Sequence, residues 1–313
     1  MITCFSAISI LLAMYCAIPS TEFEFLQEFY ESNNGGTWEW KPEGDFGPIW
    51  NVTSVPLNEN SYFMPCSQNW QGISCVYSYD PGNNNSLCNI QGLALNHYNI
   101  LGRFPSGITK LTELRNLTMF NNFLSGEFPT NLNSLKHLKV LGLALNFFES
   151  SIPALLGNIT TLENIEIQSN YLFGSIPSEL FVQWKSMVTI NAYGNYFSGE
   201  IPSSIGSMGN LSYLSLSYNQ LSGPLPTAIG DLSNLILADL VQNQLSGPLP
   251  TLGLLVNLRY FKASNNRLTG TLPSDLGSAT SLTQLYLSNN NLEGRIPDIL
   301  PESLVYLFLL RAL

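Results

Sequence analysis

Residues 214–226 read LSLSYNQLSGPLP, and this phrase organises the chain. With its positions numbered one to thirteen, Leu214, Leu216, Leu221 and Leu225 occupy one, three, eight and twelve. Asn219 is at six, Gly223 at ten and Pro226 at thirteen. Residues 285–297, LYLSNNNLEGRIP, repeat it with Asn290, Gly294 and Pro297 in the same places. Position one recurs at Leu93, Leu117, Leu141, Ile165, Ile190, Leu214, Ala238, Phe261 and Leu285, and in a worn copy at Leu307. The steps are 24, 24, 24, 25, 24, 24, 23, 24 and 22 residues. So steady a period predicts a stacked solenoid, in which each coil buries its apolar face on its neighbours.

Working outward from the phrase, positions one and three alternate with polar residues, the period-two mark of a short strand. Each copy then adds one strand to a parallel sheet, giving an inner face roughly 40 Å long at ~4.8 Å per strand. Position six needs an amide, because the sharp turn after each strand leaves backbone donors and acceptors inside the coil. Asn122, Asn146, Asn170, Asn195, Asn219, Asn243, Asn266 and Asn290 supply it; only the first copy departs, with Tyr98. Gly at ten relieves a tight backbone, and Ser150 replaces it once.

Before the repeats, the apolar segment 2–18 reads as a secretory signal, closing near Ala17 or Ser20. At about 17 residues it is short for a membrane span. Residues 21–32 read as a helix with Phe25, Leu26, Phe29 and Tyr30 on one face, and with Thr21 and Glu24 as a reciprocal cap. Trp38, Trp40 and Trp50 follow, placed to cover the apolar end of the first coil. In an oxidising compartment Cys66 and Cys75 would close a short loop. Cys88 is left over, with Cys75 as an alternative partner. A zinc site is excluded by the absence of Cys-x-x-Cys spacing and nearby His. Acceptor triplets for N-glycosylation stand at Asn51, Asn84, Asn116, Asn158 and Asn210,.

The chain has 313 residues, 11% of them charged, and a formal net charge of −10. That balance excludes a nucleic-acid backbone as partner, which calls for a basic stripe. His97 and His137 fall in separate copies, and no nucleophile elbow, phosphate loop or His-Glu-x-x-His occurs. The expectation is no enzyme activity, no cofactor and no metal.

These residues resemble the plant-type extracellular leucine-rich repeat, LxxLxxLxLxxNxLxGxIP, over residues 93–297. FLQEFYESNNGGTW followed by CSQNWQGISC resembles the N-terminal cap of that family. The resemblance implies an α/β, β-rich repeat solenoid: a right-handed superhelix with a concave parallel sheet and a second extended run at the Gly-x-Ile-Pro segment. Its expected organisation is a signal at 1–20, a cap at 21–90, and repeats at 91–313 with nine clear copies, a partial tenth and no C-terminal cap. The family binds peptides or proteins, so the expected partners are a protein or peptide ligand and a co-receptor. The expected location is secreted or on the outer face of the plasma membrane, with no span in this chain. Two rivals are a secreted inhibitor of a glycan-cleaving enzyme and the ectodomain fragment of a receptor-like kinase.

Core positions cannot hold a ligand, which leaves zero, two, four, five and seven. Position seven reads Phe123, Phe147, Tyr171 and Tyr196 in consecutive copies. Phe120, Tyr193, Tyr213, Tyr218, Tyr260 and Tyr286 share the face, with Glu166, Asp239, Lys262 and Arg267 as its few charges. Exposed aromatics give large contact area and are enriched at interfaces. The ten aromatics are the candidate ligand-binding residues. A glycan on Asn116 would crowd the second copy, so either that site is bare or the ligand lies further along.

Overall fold

The computed structural model describes residues 18–50, 52, 65–66, 68–80 and 85–310. Most of the expected signal segment, and the triplets at Asn51 and Asn84, lie outside the described residues. The rest forms an open leucine-rich-repeat solenoid around one eleven-stranded sheet. Strands β1 (Ile73–Asp80) and β2 (Asn85–Ala94) pair antiparallel at its start. Nine parallel strands then follow in chain order, from Asn116–Thr118 to Tyr306–Phe308. Leu117, Leu141, Ile165, Ile190, Leu214, Ala238, Phe261, Leu285 and Leu307 lie in one register across it, so the worn tenth copy does supply a strand. Apart from Leu307, which is half-buried, these side chains are at most 5% exposed. Each buried leucine contributes about 1.5–3 kcal/mol.

After each strand the chain turns at position five through a left-handed residue. Asn121, Leu145, Ser169, Tyr218, Gln242, Asn265 and Asn289 have φ of 54–58° there, and Gly194 has 65°. For a non-glycine residue this conformation costs about 1–3 kcal/mol, so the surroundings must enforce it. The asparagine column next to it does so. In all eight copies Nδ2 donates to the position-three carbonyl of the preceding coil, at 2.7–3.0 Å. Oδ1 accepts from a backbone N–H of that same coil, as from Leu124 to Asn146 at 3.0 Å. Where the first copy lacks Asn, Tyr98 is buried and its hydroxyl donates to Oε1 of Gln71, a fully buried cap residue.

The second extended run lies earlier than the expected Gly-x-Ile-Pro segment: its strands fall within positions seven to eleven, before the proline turns the chain into the helical side, and they pair into a second layer split into a three-stranded and a six-stranded sheet. The split falls between Phe147–Phe148 and Phe173–Gly174, at the one copy with Ser150 in place of glycine. The eight glycines of that column have φ between 71° and 104°, a conformation Ser150 does not share. Ser150 Oγ instead accepts from the Phe128 N–H at 2.9 Å. The prolines that end the phrase start the short helical turns of the outer side. Pro105, Pro129, Pro153, Pro177, Pro202 and Pro226 each stand immediately before one, with φ near −60 to −73°,.

The N-terminal helix α1 (Ser20–Ser32) buries Glu22, Phe23, Phe25, Leu26 and Phe29. The expected Thr21–Glu24 cap does not form. Pro19 occupies the N-cap, its carbonyl accepting from the Glu22 and Phe23 N–H groups, which puts Thr21 inside the first turn. Glu24 instead faces Lys110 at 3.6 Å. Trp38, Trp50 and Trp70 are buried beneath the helix, with Trp40 packed against them. Their polar edges are satisfied: Trp38 donates to the Asn33 carbonyl at 2.9 Å and Trp50 to the Gln71 carbonyl at 2.8 Å. Cys66 and Cys75 are bonded. Cys88 is fully buried and also disulfide-bonded, so Cys75 is not its partner.

Candidate functional site

The four aromatics of position seven come together as one ladder. Phe123, Phe147, Tyr171 and Tyr196 stack in sequence, with centroids 5.9, 6.0 and 6.1 Å apart and planes within 9°, 26° and 11° of parallel. This is offset stacking, which leaves a strip of each face uncovered. Each ring keeps 41–47% of its surface exposed. The parallel coils carry the rings into line: each is the first residue beyond a buried position-six asparagine, so one hydrogen-bonded column positions all four.

The ladder borders the concave sheet and does not lie on it. Phe123 and Tyr196 open strands of the second layer, Phe123–Gly126 and Tyr196–Gly199. Between the rings and the left-handed turns runs a groove of about 590 Å³. Asn121, Leu145, Ser169 and Gly194 line its other side, and Asn99 closes its first-coil end. The whole lining is uncharged. Position five was legible as a free position; the left-handed turn that makes it a groove wall is signalled only by Gly194 and by Asn121, Asn265 and Asn289, whose residue types tolerate it,.

The other candidates fall elsewhere on the face. Phe120 is half-buried and meets the His97 ring edge-on at 5.4 Å. Tyr193 and Tyr218 contact edge to face at 5.3 Å, and Tyr213 is exposed. Tyr260 and Tyr286 flank Lys262, whose Nζ lies 5.9 and 5.5 Å from their centroids. Tyr286 also stacks on Phe308 at 4.7 Å, with Tyr306 beside it. Phe308 and Tyr306 were missed in the sequence because their copy is worn, although register with Tyr286 would have found Phe308. Asp239 Oδ1 accepts from the Val241 N–H at 3.2 Å, Glu166 is half-buried and Arg267 is exposed.

Asn116, Asn158 and Asn210 are exposed, and Asn210 Nδ2 donates to the Lys185 carbonyl at 2.9 Å. His97 Nδ1 pairs with the Asn121 amide, and His137 stands 4.0 Å from Glu113. Among the described residues, no group of His, Cys, Asp and Glu could hold a metal ion. No helix among them is long and apolar enough to cross a membrane.

The Leucine Rich Repeat family model matches residues 210–232, 257–279 and 281–303. No curated protein sequence matches the chain. Among solved structures, a TDR receptor is 36% identical over 66% of this chain and 36% of its own, with a TM-score of 0.64. The Arabidopsis receptor kinase HAESA ectodomain, solved with an N-terminally extended IDA peptide hormone, is 27% identical over 89% of this chain and 44% of its own, at 0.69. A plant ice-binding protein shares the fold at 22% identity over 90% of both chains, at 0.64. The chain thus spans less than half the length of the two receptors.

Proposed function

Because this chain is a leucine-rich-repeat protein whose structural neighbours are plant receptor-kinase ectodomains, we propose that it is an extracellular, non-catalytic recognition module that binds a peptide. The binding surface is the concave face and the aromatic ladder along its border. The observation that carries this is the ladder itself. Four aromatic rings in consecutive coils stay close to half exposed and stack in line, while positions one, three and eight of the same coils are buried. The HAESA neighbour, solved with a peptide hormone, supports the same reading.

The test replaces Tyr171, Tyr193 and Tyr196 together with Ser. All three side chains are exposed, so the variant should keep the circular dichroism and melting temperature of the parent. Immobilised parent and variant are each incubated with peptides from plant extracellular fluid, and retained species are identified by mass spectrometry. Peptides held by the parent and lost from the variant support the proposal. Identical retention on both would sink it.

A further inference from the structure

Cys88 has a partner, and the identity of that partner decides which N-terminal residues the working protein keeps. Resting on the extracellular part of the reading above, and on nothing in its peptide site, we infer that Cys16 is the disulfide partner of Cys88. The working chain then keeps Cys16, and any leader is removed before it.

Elimination leaves two residues. The chain has five cysteines. Cys66 and Cys75 are bonded to each other, and Cys88 is disulfide-bonded. Cys4 and Cys16 remain, both outside the described residues. Reach separates them. Glu22 ties the start of α1 to β2: its carboxylate accepts from Asn89 Nδ2 at 3.0 Å and from the Ile90 N–H at 2.9 Å. The Glu22 N–H donates to the Pro19 carbonyl at 3.0 Å, so Pro19 lies one turn from that tie. Cys88 stands two residues before Ile90 along β2, and Cys16 three residues before Pro19. Three residues span at most ~11 Å, and a disulfide joins Cα atoms ~4.4–6.8 Å apart. Cys4 stands twelve residues further out, and closing the longer arm onto the same sulfur costs more entropy,.

The same residues weigh against a leader cut near Ala17 or Ser20. A cut after Ala17 removes Cys16 and leaves fully buried Cys88 without its partner. It also puts Tyr15 where a small-residue cleavage site calls for a small side chain,. A cut after Ser20 removes in addition Ile18, which is 4% exposed, and the Pro19 carbonyl that caps α1. The bond itself forms by thiol–disulfide exchange with a protein disulfide of the oxidising compartment. Two protons and two electrons pass from the Cys16 and Cys88 thiols to the oxidant, whose disulfide becomes two thiols. It closes a span of 72 residues, against nine for Cys66–Cys75. The longer loop restricts the unfolded chain more, which makes this bond the stronger covalent tie of the cap.

The experiment secretes the full chain, with its own N-terminus, from a eukaryotic host. Free thiols are blocked, and the denatured, unreduced protein is digested with chymotrypsin, which can cut between the cysteines at Tyr15, Trp70 and Tyr77. Mass spectrometry should find the Cys16 peptide joined to the Cys88 peptide, and N-terminal sequencing should begin at or before Cys16. A first residue beyond Cys16 would overturn the inference, as would Cys88 blocked as a thiol or joined to Cys4 or to a second chain. With Cys66–Cys75 intact, each of those results leaves the extracellular reading standing. Cys66 and Cys75 also blocked as thiols would remove both. Cys16→Ser, Cys88→Ser and the double variant give an independent measure. The urea midpoint read from tryptophan fluorescence of the cap should fall by the same amount in all three, because either substitution removes the whole bond. A double-variant shift equal to the sum of the single shifts would refute the pairing.

Discussion

Asn170→Leu tests the account of how the coils are joined. Asn170 is 6% exposed; Oδ1 accepts from the Phe148 N–H at 3.1 Å, and Nδ2 donates to the carbonyls of Leu143 at 3.0 Å and Ile167 at 3.1 Å. Leucine is similar in size and apolar, so it leaves the Phe148 N–H without a partner and takes one of two bonds from the Leu143 and Ile167 carbonyls, which keep those from Asn146 and Asn195 at 3.2 and 3.0 Å. At about 1–3 kcal/mol for the orphaned donor and about 0.5–1.5 kcal/mol for each of the two lost carbonyl bonds, with some recovered by relaxation, the loss should be roughly 2–5 kcal/mol. That is a large share of a total stability of ~5–15 kcal/mol. Urea unfolding followed by circular dichroism should show the midpoint falling. Asn170→Asp separates hydrogen bonding from shape. Its carboxylate keeps the acceptor for Phe148 but faces two carbonyl oxygens with nothing to donate. It should be at least as destabilising at pH 7 and should recover as pH falls and the acid is protonated, because this site raises its pKa above the unfolded value. Thr160→Ala, at an exposed position outside the left-handed turns, is the control and should cost under about 1 kcal/mol,. A leucine variant within 1 kcal/mol of the parent, or an aspartate variant equal to it at pH 7, would refute the reasoning.

Three further outcomes are expected. Ala192 borders an apolar void of about 20 Å³ with Ile167, Ile190, Phe197 and Leu216, so Ala192→Val should raise the melting temperature by roughly 2–4 °C in calorimetry, whereas a fall would show the void already closed by relaxation,. Gly223→Ala should cost about 1–3 kcal/mol by urea titration, because φ is +75° and the new Cβ would stand 2.5 Å from Glu200 Cγ,. Burial raises the pKa of Glu22, against the opposing effect of its bonds from Asn89 Nδ2 and the Ile90 N–H. The folded cap therefore holds the proton more tightly than the unfolded chain. Its contribution is fully present below the unfolded carboxyl value and is lost as pH rises through the raised one. Cap stability read from tryptophan fluorescence in urea should thus increase from pH 7 towards pH 4, and Glu22→Gln should flatten that slope.

The repeated part of the fold was legible because each coil solves the same physical problem with the same residues. Leu214, Asn219 and Gly223 have one environment nine or so times over, and periodicity exposes it. The ends were less legible. At the start, Pro19 displaced Thr21 as the helix cap, and Tyr98 with Gln71 replaced the amide column; neither recurs, so neither had a pattern to reveal it. The ring ladder was visible as a column of aromatics, but its stacking and its place on the border of the sheet were not. Those depend on the left-handed turn at position five, which Leu145 and Tyr218 adopt against their own preference and no local sequence announces.

The asparagine column has an evolutionary consequence. Every Asn bonds to its own coil and to the one before it, always through the same carbonyl position. Deleting or duplicating a whole coil of 24 residues would therefore leave each remaining amide with a full set of partners. Coils can be gained or lost like links, and the length of the ring ladder can change with them, without redesign of any joint. The exception is the first joint, where Tyr98 meets Gln71 and the cap. Variation in copy number is accordingly free along the body of this molecule and forbidden at its N-terminal seam.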